Sequence, residues 1–252
     1  MTKLFFTLYG ALAYLLFLGV FLYAVAFVAD APFVPKTLDS GRAGPLLPTL
    51  AVNGVLLGLF AAQHSVMARP AFKRWWTRIV PPPIERSTYV LCASLALAVL
   101  YVFWRPLPQA IWTFTGVPAL FLIGLSLAGW GVVLVSTFLI SHFELFGLAQ
   151  VYDRLRGRVA KPMAFRTPGF YRVIRHPIYA GFILAFWAAP RMSLGHLFFA
   201  VATTGYIFIG IWFEERDLVA AFGERYLRYR ESVGMMWPKP RPVGRSRTAR
   251  AP

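Results

Sequence analysis

Five uncharged apolar runs constrain this chain more than any other feature. They cover residues 4–29, 46–68, 87–104, 116–140 and 193–213. Each is close to or above the roughly 20 residues a helix needs to cross a bilayer. A sixth run, 177–190, would reach only about 21 Å as a helix. Hydrocarbon offers the backbone no hydrogen-bond partners, so runs of this kind are expected to span as helices. Only 14% of residues are charged and 58% are hydrophobic, against about 25% charged in a soluble domain. The expected class is an all-α, polytopic transmembrane bundle. Five full spans and a short one are expected, the short span forming a C-terminal helical hairpin with the last full one, and an amphipathic helix following from Glu214 to Glu231.

The formal net charge of +16 would suggest nucleic acid on a soluble protein. Here the basic residues sit in short connections beside apolar spans, and no nucleic-acid motif accompanies them. They read as topology signals and as contacts to anionic lipid. Segments 69–86 and 142–175 are the two strongly basic connections. The positive-inside rule therefore puts both of them, and both chain termini, on the cytoplasmic side of a bacterial inner membrane. Met1 directly precedes an apolar run without a small-residue cleavage site, which reads as a retained span. The single cysteine, Cys92, lies inside a span and supports neither a disulfide framework nor a thiolate metal site. No segment calls for an obligate protein partner. One integrated domain is expected over 1–240, with a basic disordered tail over 241–252.

This topology gathers His64, His142, Glu144, His176, Glu214 and Glu215 at one membrane face. The stretch Arg175-His176-Pro177-Ile178-Tyr179-Ala180-Gly181 stands out among them. Pro177 suits the first position of a helix. Arg175 and His176 then lie at the positive end of the helix dipole, a place that favours carboxylate or phosphate. Gly181 permits close backbone approach. A hairpin would bring Glu214-Glu215-Arg216 beside this mouth, so that a basic cluster faces two carboxylates. Such a site fits a zwitterionic ligand; equally, the same charges could snorkel to the interface and pair with one another. Farther on, Tyr226 and Tyr229, like Arg225 and Arg228, fall three apart on one helical face, as they also would on a lipid-surface helix. Gln63-His64-Ser65 is a polar triplet near a span's end. His142 and Glu144 follow the fourth span, where an ordinary exit loop would also put them. Their spacing supports no metal site, and His196 is expected at the opposite face in a structural role.

Three motifs in order carry a resemblance: Arg175 to Gly181, Glu214-Glu215-Arg216-Asp217-Leu218, and Phe222-Gly223-Glu224-Arg225-Tyr226-Leu227-Arg228-Tyr229-Arg230. Together they resemble the C-terminal core of the isoprenylcysteine carboxyl methyltransferase and phospholipid methyltransferase superfamily. The resemblance implies S-adenosylmethionine as cofactor, bound by residues of 116–240. Arg175, His176, Tyr179 and Gly181 would bind it, His176 and Tyr179 holding its methionine part, and Glu214 or Glu215 its ammonium or ribose. Tyr226, Arg228 and Tyr229 would close the pocket. In the first half, Gln63-His64-Ser65-Val66-Met67-Ala68-Arg69-Pro70, Glu85-Arg86-Ser87-Thr88-Tyr89-Val90 and His142-Phe143-Glu144-Leu145-Phe146-Gly147 look like the bacterial methanethiol S-methyltransferases. That implies a small thiol acceptor and no metal.

A thiol is mostly protonated at neutral pH while its thiolate is the nucleophile, so a general base is expected. The candidates are His64, His142 and Glu144, with His64 preferred for its place at the end of a span. A lipid or isoprenylcysteine acceptor is the competing expectation within the superfamily. A membrane carrier or assembly factor on the same scaffold is the competing class.

Overall fold

The computed structural model describes residues 2–158 and 164–239. The expected disordered tail over 241–252, and Lys161 of the second basic connection, lie outside the described residues. Five helices are long and apolar enough to cross a membrane: α1 (Thr2–Val28), α2 (Leu46–Ala68), α4 (Pro82–Phe103), α5 (Gly116–Ile140) and α9 (Leu194–Phe222). Shorter helices lie between and after them: α3 (Pro70–Trp76), α6 (His142–Leu145), α7 (Leu148–Arg156), α8 (Pro177–Trp187) and α10 (Glu224–Ser232). Large apolar side chains such as Leu12, Leu120 and Val117 stay exposed along the spans, as lipid-facing positions should.

Side chains tie the two ends of the bundle differently. At one end, the fully buried amide of Asn53 bonds both the N–H and the C=O of Arg105. The Trp104 indole donates to the Leu38 carbonyl. The connection after α4 contains β1 (Ala110–Thr113). The connection after α8 contains β2 (Arg191–Ser193), and the two pair antiparallel. A two-stranded ribbon satisfies backbone groups that both connections would otherwise leave open. Here His196, buried, reaches the Phe186 carbonyl at 2.8 Å and ties the start of α9 to the end of α8.

The opposite end gathers the C-termini of α2, α5 and α9 with the N-termini of α1, α4 and α8. Arg69 of α2 donates to Asp217 of α9 at 2.9 Å. Arg86 of α4 donates to the Leu145 carbonyl, and Val151 of α7 packs with Phe6 of α1 and Ile84 of α4. Both basic connections therefore border this end.

The short span is held chiefly by α5. A Cβ on Gly129 would lie 2.6 Å from the Ala185 nitrogen, and one on Gly181 would lie 2.7 Å from the Gly129 carbonyl oxygen. The two glycines let the helix backbones touch, the small-residue packing expected of membrane helices. Two boundaries differ from expectation. Helix α4 begins at Pro82 and not at residue 87, because Pro82 is well suited to open a helix. The amphipathic helix expected from Glu214 to Glu231 is broken at Gly223, whose φ of +53° only glycine adopts readily. Residues 214–222 thus continue α9, and α10 turns back across its end.

Candidate active site

The hairpin brings the first turn of α8 against the last turns of α9. Glu215 Oε1 accepts from Arg175 Nε at 2.8 Å and Nη2 at 2.8 Å, and lies 3.1 Å from His176 Nε2. The Arg175 and Glu215 side chains are 6% and 13% exposed. Arg175 also donates through Nη1 to the Arg230 and Val233 carbonyls, capping the end of α10. One guanidinium thus joins α8, α9 and α10. Glu214 is placed otherwise. It accepts from the Tyr179 hydroxyl at 2.8 Å, lies 3.9 Å from His176 Nδ1, and keeps its side chain 42% exposed.

The expected open mouth of α8 is partly closed. The backbone N–H groups of Arg175 and His176 donate to the carbonyls of Gly234 and Met235. That chain turns so tightly that a Cβ on Gly234 would meet the Trp237 carbonyl oxygen at 1.7 Å.

Helix α10 and the segment before α8 roof the cluster. Phe165 packs against Phe222, Tyr226 and Tyr229, and the Tyr229 hydroxyl donates to the Tyr171 carbonyl at 2.6 Å. Burial pushes the Tyr229 pKa up to about 12, so its hydroxyl stays a neutral donor. The Tyr226 side chain is 1% exposed and its hydroxyl has no hydrogen-bond partner. An orphaned buried hydroxyl costs about 1–3 kcal/mol, which a polar ligand group would relieve. A groove of about 420 Å³ between α9 and α10, bordered by Glu215, Arg230, Leu227 and Trp212, lies beside the cluster. That volume falls within the range of small-molecule sites.

A second polar group lies deeper along the bundle, where α2, α4 and α9 meet. The half-buried His64 ring has both nitrogens within reach of the Tyr89 hydroxyl, at 3.0 and 2.9 Å. A single hydroxyl can serve one of them well, leaving the other for a ligand. Ser65 Oγ is 3.1 Å from the Tyr206 hydroxyl, and the Phe60 ring contacts both His64 and Tyr206. Among the described residues no cluster of His, Cys, Asp and Glu could hold a metal ion.

Comparison with known proteins places these two groups in context. The chain is 54% identical to the methanethiol S-methyltransferase of Mycobacterium tuberculosis, over 92% of its own length and 96% of the relative's. It is 53% identical to methanethiol S-methyltransferase 1 of Bradyrhizobium diazoefficiens, over 94% and 83%. The chain belongs to the methanethiol S-methyltransferase family. It is thus an enzyme, a multi-pass membrane methyltransferase, and a methyl donor is implied. Nurim of Bos taurus, 31% identical over 73% of this chain and 70% of its own, represents the wider isoprenylcysteine methyltransferase-like group of membrane proteins. No family model matches the chain, and no solved structure does.

In this family member the residues named from sequence divide into two sets. Arg175, His176, Tyr179, Glu214, Glu215, Tyr226 and Tyr229 come together around the hairpin's end. His64 lies in the second polar group, and four others join neither. Gly181 packs on Gly129 of α5. Arg228 and Glu144 are exposed. His142 is buried, with Nε2 2.9 Å from the Tyr14 hydroxyl and Nδ1 2.8 Å from Thr137 Oγ1. Burial holds the His142 pKa below its ordinary value of 6.5. Both its nitrogens are engaged, which leaves no lone pair for a substrate proton.

Sequence reasoning did not single out Tyr89, Tyr206 or Arg230. Tyr206 had a legible signal: it precedes Glu214 by eight residues, two turns along the same helical face. Tyr89 had none, since its partner His64 is 25 residues away on another span.

Proposed function

We propose that the protein methylates methanethiol to dimethyl sulfide with S-adenosylmethionine as donor. The observation that carries this reading is the pairing of two unlike polar groups at one end of the bundle. A charged cluster suits a zwitterionic donor, and the nearly neutral His64–Tyr89 pair beside the Phe60 ring suits a small apolar thiol. The close kinship with proteins of that name supports the substrate.

The donor supplies an electrophilic methyl on a sulfonium sulfur. Glu214 has one hydrogen-bond donor, Tyr179, and an exposed face, so it receives the ligand's ammonium. Glu215 is held through Oε1 by Arg175 and His176, with Oε2 4.0 Å from Arg230 Nη1, and acts as a positioning residue. The orphaned Tyr226 hydroxyl supplies a further bond, and Tyr229 holds the roof through Tyr171. Arg228 stays outside the pocket as a surface charge. On the acceptor side His64 takes the thiol proton at whichever ring nitrogen Tyr89 leaves free. Tyr89 and Phe60 hold that ring in place. A positioned base contributes typically 10²–10⁴-fold, and fixing two small reactants contributes several further orders.

The basic connections that border this end support an orientation with it at the cytoplasmic side of the inner membrane, its arginines against anionic headgroups. The test uses the purified full chain with labelled S-adenosylmethionine and methanethiol, and headspace analysis for dimethyl sulfide. Labelled sulfide is expected. Labelled lipid without sulfide would move the assignment to a lipid methyltransferase, and no binding of S-adenosylhomocysteine would remove the donor assignment.

A further inference from the structure

Methylating a thiol releases a proton, and a base buried at the end of a span must return that proton to water before it can act again. The balance is simple. The thiol sulfur forms a bond to the methyl carbon, and the sulfonium carbon–sulfur bond breaks with its electron pair left on the donor's sulfur. The thiol proton is left on His64. We propose that the hydroxyls of Ser65, Tyr206 and Tyr179 form the exit route for that proton, ending at the Glu214 carboxylate. This inference rests on the thiol-methylating function proposed above.

The route is drawn on α9. In residues 205–214, Gly-Tyr-Ile-Phe-Ile-Gly-Ile-Trp-Phe-Glu, only Tyr206 and Glu214 have polar side chains that can carry a proton in a relay. They fall eight apart with Gly210 midway, so all three share one helical stripe. Every other stripe at this depth shows Ile, Phe or Trp. The polar stripe is bonded at both ends: Tyr206 meets Ser65 at 3.1 Å, next in sequence to His64, and Glu214 meets the Tyr179 hydroxyl at 2.8 Å.

Between them Gly210 leaves a gap. A Cβ there would have the Tyr179 hydroxyl as its nearest neighbour, at 4.0 Å. At this level α9 itself puts no side chain between the two hydroxyl pairs, and a bridging water would complete the route. Glu214, with its side chain 42% exposed, hands the proton to solvent. Polar residues inside a membrane span are costly and commonly mark such paths. The charged neighbours fit the direction of travel. Arg69 is neutralised by Asp217 beside Ser65 and Arg175 by Glu215, while the Arg86 guanidinium, 4.8 Å over the Tyr89 ring, repels a proton held on His64.

The experiment compares methanethiol with methaneselenol in the full-length enzyme. A selenol is ionised at neutral pH and brings no proton, whereas its methyl transfer uses the same pocket. Tyr206→Phe keeps the ring and removes the hydroxyl. It should slow thiol turnover about 10-fold or more and raise its solvent deuterium isotope effect. Selenol turnover should stay within about twofold and S-adenosylhomocysteine affinity should be unchanged. Gly210→Leu, which fills the gap beside the Tyr179 hydroxyl but removes no polar group, should give the same thiol-selective loss. If both substrates slow together in both variants, or neither slows, the route is wrong. Absence of thiol methylation by the unaltered enzyme would instead refute the proposed function.

Discussion

Glu214 and Glu215 are adjacent, yet their surroundings assign them opposite jobs, and neutralising each in turn separates those jobs. Glu215 sits 13% exposed against an arginine 6% exposed. Glu215→Gln would leave the Arg175 charge buried without its counter-charge. Removing one partner of such a pair costs about 3–5 kcal/mol. For a chain of this size each kcal/mol moves the melting temperature by about 2–4 °C, so a drop of roughly 6–20 °C follows. Glu214→Gln removes a half-exposed carboxylate with one neutral donor, and the amide oxygen still accepts from Tyr179. Its stability cost should stay within about 1 kcal/mol.

Affinity should run the other way. If Glu214 faces the ligand's ammonium, losing that charge-assisted bond forfeits about 1.5–3 kcal/mol, which is roughly 10- to 150-fold in dissociation constant. Tryptophan-fluorescence melting of the detergent-solubilised protein gives the first quantity, and calorimetric titration with S-adenosylhomocysteine gives the second. A Glu215→Gln protein that melts normally but binds weakly would reverse the assignment. A Glu214→Gln protein that binds normally would remove Glu214 from the ligand site.

Other perturbations probe separate parts of the bundle. Tyr226→Phe removes a hydroxyl that has no partner in the free protein, so stability should hold or rise slightly while S-adenosylhomocysteine affinity falls about 3- to 10-fold, read by the same titration. His64→Ala should lower the thiol rate by about 10²-fold or more and leave S-adenosylhomocysteine binding intact, as a headspace assay and titration would report; an unchanged rate would exclude His64 as the base. His142 tests pH dependence. Its folded pKa is depressed by burial from 6.5, so as pH falls below about 6.5 the unfolded chain takes up the proton first and the fold loses stability. His142→Gln should flatten that acid limb in melting curves taken between neutral pH and pH 5. Gly129→Val should destabilise by about 1–3 kcal/mol, since its Cβ would collide with α8 backbone, and should do so in thermal melts even of ligand-bound protein.

The spans were legible because a bilayer asks for one thing, apolar length, and the sequence states it residue by residue. The charged half of the site was legible for a related reason. Arg175 to Tyr179 and Glu214-Glu215 sit at the two ends of one hairpin, so their meeting requires no knowledge of the other helices. Beyond that hairpin, legibility depended on which way a helix was rotated. His142 and His64 both end up near the same membrane face. Yet His142 turns inward to Tyr14 and Thr137 while His64 meets Tyr89, and no local pattern separates the two. Gly181 read equally well as room for a ligand or for a neighbouring helix, and only its facing Gly129 decides for the helix.

The break at Gly223 bears on function as well as on boundaries. Had α9 run on to Glu231 as one helix, Tyr226 and Tyr229 would project beyond the bundle on a rod, far from the carboxylates. The left-handed kink folds α10 back instead, and Arg175 locks it there by donating to the Arg230 and Val233 carbonyls while it neutralises Glu215. The same guanidinium therefore holds both the floor and the roof of the proposed donor pocket. A ligand can enter only if α10 lifts or if the groove beside Trp212 and Leu227 admits it. The buried cation makes lifting expensive, so the groove between α9 and α10 is the route of lower cost for a donor that must leave, as product, once in every turnover.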